Sequence, residues 1–214
     1  MTRDEAVTLI QQGLAFRSGN VDQIIAALTK AQNDLERENV TLPWFLIQQD
    51  QTISVTASTQ AYSLPTGFIK EVEDEGLRYT NSQTGKPVFL IKKPFDEAKD
   101  FYTNELEVST NRPLAYSLRK ATIYLWPVPD TSYTLTWSYY AKDTALTSNV
   151  ENEWLENIPY LLIAVAGKYM SDDLHYDQGM IKFEKREAQE RMRLASMIAA
   201  REESNMPRAM GRNH

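Results

Sequence analysis

Apolar residues recur at helical spacing toward both ends of this chain and at every second position between them. Near the start, Thr2 and Glu5 have the spacing of a capping box ahead of Ala6, Val7, Leu9, Ile10 and Leu14, which predicts a first helix to about Arg17. Ser18-Gly19-Asn20 stops it. Asn20 is placed to cap a second helix whose face is Val21, Ile24, Ile25, Leu28, Ala31 and Leu35. Thr41-Leu42-Pro43 ends the pair, which reads as a helical hairpin. From Trp44 to about Asp143 the period changes to two. Strands are predicted at Thr52–Thr56, Ala61–Leu64, Phe68–Val72, Leu77–Thr80, Val88–Ile91, Ala115–Arg119, Thr122–Trp126 and Ser132–Tyr140, with a short helix or turn at Pro94–Tyr102. Thr134, Thr136 and Ser138 alternate with Leu135, Trp137 and Tyr139, as in a sheet with one wet face. Pro65-Thr66-Gly67 and Pro127-Val128-Pro129-Asp130 mark turns.

The stretch from Trp154 to Ser204 returns to helical spacing. Pro159 suits a first helical turn, and Leu161, Leu162, Val165, Ala166 and Met170 follow on one side. Ser171-Asp172-Asp173 breaks the run. A second helix is expected from near Tyr176 to about Glu203, its apolar residues (Met180, Phe183, Met192, Leu194, Met197, Ile198) diluted by charges. The first of these helices reads as buried and the second as mostly wet. A charged helix with a thin apolar line generally leans on something outside its own domain.

These patterns predict an α+β protein. A helical base forms from the N-terminal hairpin (1–43) and the C-terminal helices (151–203), with an antiparallel β-sandwich or barrel-like region (44–150) inserted between them. Residues 204–214 are expected to form a flexible tail, with Arg208 and Arg212 as charges and Met206 and Met210 as apolar anchors.

Composition narrows the functional classes. The net charge of −6 argues against a protein whose main task is gripping phosphates. The chain contains no cysteine and only two histidines, His175 and His214, so thiolate chemistry and His-dependent triads have little to build on. The longest apolar run, Ile158–Ala166, is about half of what a membrane span needs, so a soluble protein made in the cytosol with no membrane partner is expected. The 8 glycines form no phosphate loop, no Gly-x-Ser-x-Gly elbow occurs, and no cofactor is expected.

Three sets of residues invite a chemical reading. Asp172, Asp173 and Asp177 surround His175, suggesting either a metal or acid–base site or a polar corner between helices. Glu71, Glu73, Asp74 and Glu75 lack the alternating frame of a Ca²⁺ loop and read as a solvated loop. Trp126, Trp137, Tyr139 and Tyr140 suit a sugar or base platform, or the half-buried packing that strand aromatics usually provide. On the last helix, Arg186, Arg191, Arg193 and Arg201 mix with Glu184, Glu187, Glu190, Glu202 and Glu203, as a self-paired solvent face or as an interface.

One resemblance covers roughly Trp44 to Asp173. The segments Arg112-Pro113-Leu114-Ala115-Tyr116, Ile123-Tyr124-Leu125-Trp126-Pro127-Val128-Pro129-Asp130, Tyr133-Thr134-Leu135-Thr136-Trp137-Ser138-Tyr139-Tyr140 and Asn152-Glu153-Trp154-Leu155 with Pro159-Tyr160-Leu161-Leu162-Ile163 resemble the head–tail adaptor proteins of short-tailed bacteriophages, as does Tyr62-Ser63-Leu64-Pro65. The resemblance implies a virion structural protein, not an enzyme, assembled in the host cytoplasm and located at the head–tail interface. It implies a dodecameric ring of copies below the portal protein. That ring extends the channel through which double-stranded DNA passes without tight binding, and it attaches tail nozzle or tail fibre proteins. With C-terminal helices of such adaptors reaching the portal, the expected portal-binding residues are Arg191, Leu194, Ile198, Arg201, Met206, Arg208, Met210 and Arg212, and Asp172, Asp173 and Asp177 are expected to line the channel. Two other functions compete: a monomeric β-sandwich binding module, for instance for carbohydrate through Trp126 and Trp137, and a carboxylate-dependent hydrolase.

Overall fold

The computed structural model describes residues 1–15, 21–38, 42–73, 75–81, 85–105, 110–147 and 152–205. The expected helix end at Arg17 and cap at Asn20 fall outside them. The chain divides into two compact units, a helical one made of Met1–Leu46 with Asp143–His214 and a β one made of Ile47–Lys142.

In the helical unit, α1 (Arg3–Gly13) begins at the capping box the sequence carries: the Glu5 amide donates to Thr2 Oγ1 at 3.3 Å, and Glu5 Oε2 accepts from the Thr2 amide at 2.9 Å. Helix α2 (Val21–Arg37) buries Ile24, Ala27, Leu28, Ala31 and Leu35. The short α4 (Glu153–Asn157) is capped by Asn152, whose Oδ1 accepts from the Leu155 amide at 2.9 Å. Helix α5 (Pro159–Asp173) has Pro159 in its first turn and buries Leu161 through Gly167 without a break. A helix buried on consecutive positions is covered on every side, and α1, α2, α4 and α6 (Asp177–Asn205) all pack on α5.

Two glycines permit the closest of these approaches. A Cβ on Gly167 of α5 or on Gly13 of α1 would fall 2.4 Å from the Phe183 ring of α6. Phe183 thereby becomes the buried anchor of the charged helix. The corner between α5 and α6 ends in a Schellman motif: the His175 amide donates to Asp172 O at 3.0 Å and the Tyr176 amide to Ser171 O at 2.8 Å, with His175 in the left-handed region at φ 50°.

Among the described residues the β unit holds two larger open sheets and a separate two-stranded pair, and neither larger sheet closes into a barrel. One has the order β1 (Ile47–Val55), β11 (Tyr133–Ala141), β4 (Arg78–Thr80), β5 (Pro87–Phe89), with β3 (Phe68–Glu71) also on β11. The other has the order β2 (Ala61–Ser63), β9 (Thr122–Trp126), β8 (Ala115–Arg119), β6 (Ile91–Lys92). Their shared core includes Val55, Leu77, Tyr79, Tyr116, Ile123, Leu125, Leu135 and Trp137. The outer face of β8 and β9 is covered as well. Ala115 and Trp126 pack with Ala98 of α3 (Phe95–Lys99) and Tyr102 of the π-helical turn that follows it (Asp100–Glu105). That double coverage explains why Ile123-Tyr124-Leu125-Trp126 is apolar on both faces of its strand.

The structure departs from the sequence pattern in four places. Strand β1 starts at Ile47 rather than Thr52. Its early residues Gln48, Gln49, Asp50 and Gln51 are exposed and polar, and a bulge shifts the register between Gln48 and Gln51. The Pro127–Asp130 turn contains β10 (Val128–Pro129), paired in parallel with β7 (Thr110–Asn111), and β6 pairs in parallel with β8. Ser138, expected on a wet face, is fully buried, and its Oγ accepts from the Asp50 amide at 3.3 Å. Glu71, which falls in the expected Phe68–Val72 strand as well as in the acidic run read as a solvated loop, lies in β3 and accepts from Tyr116 Oη and Lys92 Nζ.

Because Leu162 is fully buried in a helix enclosed by four others, Leu162→Ala is expected to lower the unfolding free energy by about 2–5 kcal/mol in chemical denaturation. A loss under about 0.5 kcal/mol, the range of exposed surface sites, would show that α5 is not the centre of this packing.

Candidate functional site

Helix α6 has 29 residues, about 44 Å. Its first half is held down. Phe183 is buried, the Arg186 guanidinium lies 4.2 Å from the Tyr160 ring centroid, and Glu187 accepts from Lys168 Nζ on α5. After Glu187 none of its described residues is buried, and Leu194, Met197 and Ile198 are only partly covered. Along this second half runs a groove of about 370 Å³, lined by Leu35, Glu38, Trp154, Leu161, Arg191, Leu194, Ala195 and Ile198. Its floor is apolar, with one ion pair at the rim.

That pair is fixed within the molecule. Arg191 donates to both Glu38 oxygens, at 2.7 and 2.8 Å, and through Nε to Glu187 Oε1 at 2.9 Å. The Glu38 hydrogen bonds, then those of Glu187, raise the arginine further above its ordinary range against the effect of burial. For Glu187 burial opposes ionisation, yet hydrogen bonds from Lys168 and Arg191 outweigh it and hold the carboxyl below its usual range.

Trp154 lines the groove and connects it to a buried polar network. Its indole N–H donates to Glu36 Oε1 at 3.3 Å, and that oxygen also accepts from Gln32 Nε2 at 3.0 Å and the Asp143 amide at 3.1 Å. The Trp154 ring meets Phe45 edge-on, Phe45 meets Trp44, and the Arg201 guanidinium lies 5.3 Å from the Trp44 ring centroid.

Of the residues the sequence singled out, the structure gathers Arg191, Leu194 and Ile198 in this groove and sets Arg201 against Trp44. Met206, Arg208, Met210 and Arg212 lie outside the described residues. Sequence reasoning missed Leu35, Glu38, Leu161, Ala195 and Trp154 as groove residues. Leu35 and Leu161 read only as core, and Glu38 pairs with an arginine 153 positions away, a separation at which periodicity carries no signal.

Asp172 and Asp173 are exposed at the end of α5 and Asp177 at the start of α6. The first two line a separate cleft of about 250 Å³ with Gln23, Ala26, Ala27, Lys30 and Tyr169. There the Tyr169 hydroxyl donates to Asp34 at 2.9 Å, and burial together with that bond pushes the phenol up to about 12. Among the described residues no three acidic, histidine or cysteine side chains converge to hold a metal ion. His175 serves as the left-handed helix stop already described.

The sugar-platform reading of the aromatics fails on burial. Trp137 is fully buried between the sheets, and Trp126 is 4% exposed under α3, its Nε1–H donating to Ser117 Oγ at 3.1 Å. Glu71, the strand residue of the acidic run, is engaged by Tyr116 and Lys92.

An open apolar groove on a solvent-facing helix is a feature of proteins that hold other proteins. The family model described as SU10 adaptor protein matches residues 1–213. The chain belongs to that family. It is therefore a phage adaptor, a structural rather than an enzymatic kind of protein that associates with other virion proteins. Comparison with the curated proteins gave no significant match. None of the adaptor's described helices is long and apolar enough to cross a membrane.

The lowered Glu187 carboxyl sets a sign for acid stability. A group depressed on folding contributes stability above its unfolded value, here 4.5, and loses it as pH falls through the folded value. In urea titrations Glu187→Gln is expected to be less stable than the natural chain at pH 6–7. The difference should shrink steadily below about pH 4.5 as the native carboxylate protonates. A difference that does not change with pH would show that Glu187 contributes packing alone.

Proposed function

We propose that this SU10 adaptor forms a ring of copies below the portal protein, continues the DNA channel and carries tail components on its far side. A dodecamer is the stoichiometry the resemblance supplies. The observation that carries the reading is the groove beside the second half of α6. Leu194 and Ile198 stand there half-covered over an apolar floor, and Arg191 at the rim is already held by Glu38 and Glu187. A rim fixed in advance leaves little side-chain entropy to lose on docking. The portal element would gain mainly from apolar contact with Leu194 and Ile198, with Arg201 beside Trp44 at the margin. Met206, Arg208, Met210 and Arg212 would add contacts beyond the helix.

The channel role draws on charge. The chain carries a net −6, and Asp172, Asp173 and Asp177 form an exposed acidic corner. We place that corner on the lumen, where a like-charged wall lets the duplex pass without adhering.

The double variant Leu194→Asp with Ile198→Asp tests the docking surface. Both side chains are only partly covered, so the fold should persist by circular dichroism. Co-sedimentation with portal should weaken about tenfold or more, since groove anchors of this kind each contribute over 1 kcal/mol. Undiminished portal binding would move the docking surface elsewhere. For the channel, fluorescence anisotropy should show no salt-sensitive duplex binding by the purified adaptor in the micromolar range. Tight binding that weakens as salt rises would overturn an acidic lumen.

A further inference from the structure

We propose that two copies of the free adaptor join through the open edge of β1, antiparallel and about a two-fold axis at Ile53, so that their five-stranded sheets become one. Among the described residues no strand lies beyond β1 in its sheet. An edge strand presents a row of backbone donors and acceptors to any strand that can lie beside it. Strand β1 is the long edge of this unit, with nine residues spanning about 30 Å. The other open edges of the two larger sheets, β2, β3, β5 and β6, have four residues or fewer. Three of them carry a lysine or proline that discourages pairing: Lys70, Pro87 and Lys92.

The second half of β1 has no such protection. The bulge between Gln48 and Gln51 disturbs the first half, and Gln51-Thr52-Ile53-Ser54-Val55 then keeps an unbroken register against β11. That run contains no lysine, arginine, acid or proline. The one charge of the strand, Asp50, is already held by Arg78. A charged partner segment therefore finds nothing to pair with here, whereas a second copy brings no like charge against the first.

The two faces of the run also match themselves. Gln51, Ile53 and Val55 stand opposite Trp137, Leu135 and Tyr133 of β11, on the face that looks to the core. Thr52 and Ser54 stand opposite Thr136 and Thr134 on the outer face. An antiparallel pairing centred on Ile53 sets that residue against its own copy, Gln51 against Val55 and Thr52 against Ser54. Every side chain then stays on the face it already occupies. Ile53 packs on the core yet is only partly covered, and an apolar neighbour on its open side completes the burial. The threonine and serine hydroxyls pair across the outer face.

A contact that uses the same surface on both copies closes at two. It describes the free adaptor and depends on neither the ring nor the portal reading.

The chain has no cysteine, so single cysteines report the register in the full-length protein. Ile53→Cys sets two thiols across the two-fold, at the Cα separation of about 5 Å that a disulfide spans. Thr52→Cys is the more exposed position but meets its own copy only diagonally. Under mild oxidation Ile53→Cys should link two chains several-fold faster than Thr52→Cys. Equal or faster linkage by Thr52→Cys overturns the proposal. In sedimentation equilibrium the natural chain should form a dimer that dissociates on dilution. The double variant Thr52→Lys with Ser54→Lys changes two exposed positions. It should keep the natural circular dichroism and raise the dimer's dissociation constant about tenfold or more. A natural chain that stays monomeric at high micromolar concentration overturns the pairing. So does a dimer that survives both lysines, which would place the contact on another surface. All of these readouts use the isolated adaptor, so their failure leaves the portal reading standing, and failure of portal binding leaves this one standing.

Discussion

The helical unit depends on one buried carboxylate. Glu36 is 2% exposed, and among the described residues no cation pairs with it. Its Oε1 is instead met by neutral donors: the Gln32 amide, the Asp143 backbone and the Trp154 indole. A polar group taken out of water needs such partners, because leaving one unsatisfied costs more than a hydrogen bond contributes. The donors come from both sides of the β insertion, Trp154 being 118 residues from Glu36. Asn152 extends the network by donating to Gln32 at 3.1 Å while capping α4. Satisfying one oxygen thus brings the returning chain back against α2 and fixes where α4 starts. It also holds the Trp154 ring in the groove lining.

The groove then follows from a mismatch of lengths. Helix α5 has 15 residues and α6 has 29, and the two diverge from a common corner at His175. At about 1.5 Å per residue, α5 runs out after some 22 Å, which is near Arg191 on its partner. Up to that point Phe183, seated over Gly13 and Gly167, and Glu187, tied to Lys168, secure α6. Beyond it, among the described residues, Leu161 at the start of α5, Trp154 and the end of α2 line the groove beside the helix, and Trp44 lies under Arg201. They cover the helix on one side and leave a trough. The open apolar surface is a consequence of α6 outrunning its support, and Arg191 anchors the helix where support ends.

Much of this was legible in the sequence, and what was not has a common cause. Helical periodicity marked α1, α2 and α5, because each has neighbours that cover an apolar face, and α6 through the thin apolar line it carries. Alternation gave most strands. It failed at Gln48–Gln51, where an edge strand is polar throughout, and at Ser138, where a buried hydroxyl looks the same in sequence as a solvated one. The charged, unsupported character of α6 led to Arg191, Leu194 and Ile198, since a local pattern reports what a helix lacks. It did not reveal Glu38, Trp154 or Glu36, whose parts in the site arise from pairings more than 100 residues apart. The aromatic strands offered two readings that only burial separates: Trp137 is core because it lies between the two sheets, and Trp126 because α3 covers the outer face of its own.

The same separation between committed and uncommitted groups bears on what kind of protein this is. In the β unit Glu71 is engaged by Tyr116 and Lys92, and Asp130 by Tyr133. In the helical unit Asp34 holds Tyr169, and Glu187 holds Lys168 and Arg191. These side chains stabilise the fold in place of presenting a poised acid or base to a cleft. Beside the exposed acidic corner of Asp172, Asp173 and Asp177, the described part of α6 leaves apolar groups open: Leu194 and Ile198 in the groove, and Ile181 and Met192 elsewhere, at 67% and 64% exposure. Surface of that kind does no chemistry and gains only by being covered. A chain that leaves apolar helix exposed gains when another protein covers it. That is the physical content of an adaptor, and the open apolar part of α6 begins where the fold stops supporting its own helix.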